Sequence, residues 1–129
     1  MPLEKQVCNL ENAKRLKELN VKQESLFWWV VDEQDRWEKL PTRLVYDEKV
    51  ADYESYWSRY SAFTVAELGE MLSTKENNNQ IRTAFAINQW VCDYETYRTF
   101  GDTEADARAS MLIYLLENNL ITLPSKHIN

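Results

Sequence analysis

The run Leu26-Phe27-Trp28-Trp29-Val30-Val31 restricts the fold of this chain more than any other stretch. Its β-branched and aromatic side chains favour extended backbone, and the charged turn Asp32-Glu33-Gln34-Asp35 bounds it. In a strand, Leu26, Trp28 and Val30 project to one side and Phe27, Trp29 and Val31 to the other. Both sides are apolar, so both need cover, which predicts a central strand with other layers packed above and below. Arg36-Trp37-Glu38-Lys39-Leu40 is expected to return as its hairpin partner, ended by Pro41.

Helices flank this strand in the sequence. Asn9 is a good N-cap, Leu10, Ala13, Leu16 and Leu19 recur at helical spacing, and Asn20 can close the helix in the left-handed conformation. Thr64-Val65-Ala66-Glu67 has capping-box spacing and opens a short helix through Leu68, Met71 and Leu72. The best-marked element is the last, Thr103 to Asn118. Thr103 and Asp106 have the spacing to cap it, Glu104 and Arg108 form an i,i+4 pair, and Ala105, Ala109, Leu112 and Leu116 make its apolar stripe, widened by Met111, Ile113 and Leu115. Asn118 and Asn119 terminate it, and Pro124 forbids continuation.

Ile81 to Glu95 reads as one long strand segment, with Ala84, Ala86, Trp90, Cys92 and Tyr94 on one side and Phe85, Ile87 and Val91 on the other. A short strand, Tyr97 to Phe100, follows. Trp29-Val30-Val31-Asp32-Glu33 and Trp90-Val91-Cys92-Asp93-Tyr94 resemble one another, and each leads towards a Thr-capped helix. The predicted order is α-ββα-ββα: an α+β domain whose two hairpins form one antiparallel sheet of about four strands with helices on its faces, with or without a true duplication. Residues 1–129 form a single domain on this reading, with 122–129 a less ordered tail.

Between Thr42 and Ser61 no regular pattern holds throughout. Tyr46, Tyr53, Tyr56, Trp57 and Tyr60 stand among Asp47, Glu48, Asp52 and Glu54. Tyr53, Tyr56, Trp57 and Tyr60 fit the i, i+3, i+4, i+7 spacing of a short helix, which core packing alone would explain. Tyr and Trp are also preferred anchors of binding surfaces, so these five residues are the candidate protein-binding surface.

The chain of 129 residues carries 21 carboxylates against 15 Lys and Arg, a formal charge of −6. That balance disfavours a nucleic-acid partner, since there is no excess of cations to displace counterions from phosphates. Lys14, Arg15, Lys17 and Lys22 read as a solvated helix face. No apolar run suits a membrane span, and the expected setting is cytoplasmic, with Cys8 and Cys92 as reduced thiols.

Catalytic chemistry has little to stand on. The sole histidine, His127, lies at the extreme C-terminus, no glycine-rich phosphate loop is present, and the Asp32–Asp35 turn lacks the spacing of a calcium loop. No cofactor is expected, and an enzyme is not. Among so many carboxylates a chance pair carries no information, which leaves a small carboxylate-based hydrolase as the weakest reading.

Three stretches together resemble small uncharacterised proteins encoded in bacterial genomes, often in phage or prophage regions. They are Leu16 to Trp29, Tyr60 to Leu72 with its Thr-Val-Ala-Glu-Leu-Gly-Glu-Met-Leu, and Asp102 to Ala109. A hairpin running into an Asp-Thr-start, Ala-rich helix is also similar to the phage α-β-α sandwich domain. The resemblance implies a phage-related cytoplasmic context and assigns no catalytic residue. The expected function is a small acidic accessory protein that binds an unidentified protein, a host protein among the candidates; the alternative is a DNA mimic that occupies a nucleic-acid enzyme.

Overall fold

The computed structural model describes residues 1–33, 40–53, 57–73 and 81–123. The chain is α+β, with two three-stranded antiparallel sheets in place of one sheet of four strands. The first sheet holds β1 (Phe27–Asp32), β2 (Arg43–Tyr46) and β3 (Trp57–Ser61) in the order β2-β1-β3. The second holds β4 (Ile81–Ala86), β5 (Gln89–Tyr94) and β6 (Tyr97–Gly101) in the order β4-β5-β6. With α1 (Leu10–Glu18), α2 (Val65–Leu72) and α3 (Glu104–Glu117), the order is α-βββα-βββα.

The central position of the Phe27–Asp32 strand is as expected, and its neighbours are not. Of the expected partner, residues 36–39 lie outside the described residues, and Leu40 holds its backbone N–H on Asp32 Oδ2 at 2.8 Å. The strand actually paired begins after Pro41, with Trp29 opposite Leu44 and Phe27 opposite Tyr46. On the other edge Trp29 faces Tyr60 and Asp32 faces Trp57, so the aromatic segment is extended there and not helical. Ladder bonds to a strand as apolar as β1 outweigh the helical spacing of a few tyrosines.

Cover on both faces of β1 is found. Trp29 and Tyr60 face the main core, and the Trp29 indole N–H donates to the Cys8 carbonyl at 2.9 Å. On the opposite face Val30 and Trp57 are buried, and a short 3-10 helix, Asp47–Asp52, packs against β1 and β2. That helix is tied down by the Trp28 indole, which donates to Asp47 Oδ1 at 2.6 Å.

The expected long strand from Ile81 to Glu95 is a tight hairpin. Ile87 and Asn88 both have positive φ, 50° and 64°, which turns the chain between β4 and β5 in two residues. No Gly marked this turn, and Ile is among the least suited residues for such backbone.

The helix boundaries follow their caps. Asn9 accepts from Asn12, Thr64 and Glu67 complete a reciprocal capping box, and Thr103 accepts from Asp106. Asn20 and Asn119 take φ of 68° and 55°, and the Val21 and Leu120 N–H groups reach back to Leu16 and Leu115. Both endings are therefore Schellman-type, with Asn in the place usually held by Gly.

α3 is the hub. It packs on β4, β5 and β6 and on α1 and α2, and its Ala105, Ala107, Ala109, Met111, Leu112 and Leu115 are fully buried. Among the described residues, helices therefore cover one face of the second sheet. Each half is a three-strand unit followed by a helix, and Trp29 and Trp90 each lie in a central strand. The central strand is the first of its unit in one case and the second in the other, so the two halves differ in strand order. Ile121 and Leu123 pack on the core, and the remainder of the expected tail, 124–129, lies outside the described residues.

Candidate functional site

Of the five aromatic residues singled out by the sequence, the four described do not form one surface. Trp57 is 7% exposed. Tyr53 is half-buried with its ring edge-on to Trp57 at 5.1 Å, and its carbonyl accepts from the Arg59 guanidinium. Tyr60 lies three residues along the same strand, hence on the opposite face, half-buried beneath Lys14 and Lys17, whose ammonium groups sit 5.6 and 4.9 Å from its ring centre. Tyr46 is 57% exposed at the end of β2, against Phe27. Tyr56 lies outside the described residues. The segment serves mainly to cover β1, because alternation along β3 sends its aromatic side chains to two different layers.

A different surface is uncovered. Strand register in the second sheet sorts its side chains into rows. Facing α3 are Thr83, Cys92 and Thr99, and beyond them Phe85, Trp90 and Gly101. Facing away are the apolar row Ala84, Val91 and Phe100 and the charged row Arg82, Asp93 and Arg98. Phe85 is in register with the helix-side row yet is 58% exposed, in edge contact with Trp90 at 5.7 Å. Phe100 is 51% exposed on the outer face, and Ile87 at the turn is 95% exposed. Exposed apolar side chains thus stand at the hairpin turn and on both faces of the sheet behind it. Between Arg82 and Asp93 the sequence has no charged residue, although 28% of the chain is charged. That gap was the signal the sequence offered; reading the segment as one strand hid the turn that exposes Ile87.

The charged row is asymmetric. Arg98 donates to both oxygens of Asp93, at 2.6 and 3.0 Å, and these bonds hold the Asp93 carboxyl below the usual carboxylate range, with Arg82 adding to the effect. Two guanidinium groups share one carboxylate, which leaves this face one cation in excess on a molecule of net charge −6.

Among the described residues the two thiols and the two buried carboxylates belong to the packed interior. Burial pushes the Cys8 thiol up to about 12 and the Cys92 thiol up to about 11, so neither is a thiolate nucleophile near neutral pH. Asp32 and Asp106 are the buried carboxylates among the described residues, and they belong to separate networks on β1 and α3. Asp106 accepts from the Asn9 N–H at 2.7 Å and from Asn12 Nδ2 and Thr103 Oγ1 at 3.1 Å each, which pins the start of α1 to the start of α3. Among the described residues no group of His, Cys, Asp and Glu is arranged to hold a metal, and no helix is long and apolar enough to cross a membrane. No family model, curated protein or solved structure matches this chain.

Proposed function

We propose that this protein works by binding another protein, and that its contact surface is the β4–β5 hairpin tip with the adjoining outer face of the second sheet. Ile87 carries the proposal. A β-branched residue with φ of 50° strains the backbone, and at 95% exposure it contributes nothing to the core in return. Folding alone favours Asn or Gly there. An exposed, strained, apolar residue at the end of a sheet that also exposes Phe85 and Phe100 suits a surface that is buried in a complex. The biological setting we propose, a phage or prophage accessory role, rests on the sequence resemblance alone.

Site-specific photo-crosslinking tests the surface. A benzophenone amino acid at position 87 should give discrete adducts in cells that produce the protein, and the same probe at position 46 should give none. Equal labelling from both positions would overturn the assignment.

A further inference from the structure

We propose that the outer face of the second sheet accepts a partner segment that combines bulky apolar side chains with a carboxylate, the apolar groups lying over Ala84, Val91 and Phe100 and the carboxylate meeting Arg82. The proposal rests on the binding reading above and adds to it the chemistry of the partner. Arg82 and Arg98 flank Asp93 across neighbouring strands, and both Asp93 oxygens are taken by Arg98. Among the described residues Arg82 then has no carboxylate of its own. The apolar row lies one strand position beyond on the same face, so a single segment can engage both.

Charge selects among occupants. A second copy would present the same cation excess to this face, on a molecule that already carries −6, and so gains nothing electrostatically from pairing. An anionic lipid leaflet would repel the molecule as a whole. A carboxylate-bearing protein segment is attracted to a row in which two guanidinium groups stand against one carboxylate. Glu95 lies in the turn between β5 and β6, outside both strands.

Selection of a random-peptide display library on the immobilised full chain tests this. Enriched peptides should carry Asp or Glu close to aromatic or aliphatic residues. Their affinity should fall roughly three- to ten-fold in Arg82→Glu, with Lys or Arg enriched in its place when that variant is the bait, and should be lost in Phe100→Asp. Both positions are exposed, and circular dichroism checks that the variants fold. Peptides lost in Phe100→Asp but lacking a carboxylate and indifferent to Arg82→Glu would overturn this proposal and leave the binding surface standing. Failure of enrichment, or peptides indifferent to both variants, would count against both readings. Self-association in sedimentation equilibrium that disappears in Phe100→Asp would assign the face to a second copy, and binding to phosphatidylcholine vesicles would assign it to lipid; either result overturns the proposal.

Discussion

At the scale of single residues, two small positions and one acid hold the hub helix in place. Gly101 ends β6 where the chain crosses α3, and a Cβ added there would collide with the backbone of Asp106 and Ala107. Backbone cannot step aside as a side-chain end can, so Gly101→Ala should destabilise the fold by about 1–3 kcal/mol in chemical denaturation. Gly69 plays a milder version of this part, since its missing Cβ leaves room for the Arg108 guanidinium, which donates to the Val65 carbonyl at 3.1 Å. Asp106 joins α1 to α3. Its replacement by Ala strands the Asn9 N–H, with an expected loss of about 1–3 kcal/mol; an unchanged unfolding midpoint would show that water or a neighbour fills its place.

At the scale of elements, α3 behaves as its sequence suggests. Ala109 is fully buried at the centre of the hub, and Ala109→Asp places an unpaired charge in the core, so that variant should lose more than about 3 kcal/mol or fail to fold. The helices were legible because caps and Asn terminators are local: Asn9, Thr64, Thr103, Asn20 and Asn119 each act within a few residues of themselves. The apolar character of β1 on both faces was legible for the same reason. Strand pairing was not. β2 and β3 are fixed by what lies across β1, and Trp57 and Tyr60, near neighbours in sequence, fall on opposite faces of one sheet. The Ile87-Asn88 turn carried no Gly, so it looked like continuous strand. The candidate site was therefore almost invisible, marked only by the absence of charge between Arg82 and Asp93.

At the scale of the whole molecule, the core is shared between the two sheets through the helices, and both cysteines lie within it. In the folded protein each thiol ionises above its ordinary value near 9.0, Cys8 at about 12 and Cys92 at about 11. The unfolded chain therefore releases these protons first as pH rises, so stability is intact below about pH 9 and declines from there towards pH 11–12. At pH 10 the loss should be on the order of 1 kcal/mol for each thiol. A Cys8→Ala variant, less stable at neutral pH, should show a shallower decline in alkaline denaturation, and equal slopes would contradict the assigned cause. The same whole-molecule view explains why function falls to the second sheet. Both faces of the first sheet are covered, whereas the second leaves an apolar row, a surplus cation and a strained hairpin tip facing outward.

The most direct test of the central claim is the pair of measurements made on Ile87→Asn. If Ile87 is kept for binding at the expense of folding, the variant should melt at a higher temperature, by an amount that reflects about 1 kcal/mol of relieved strain, while losing the partner identified by crosslinking from position 87. A variant that melts no higher and binds that partner as well as the natural chain would contradict the account.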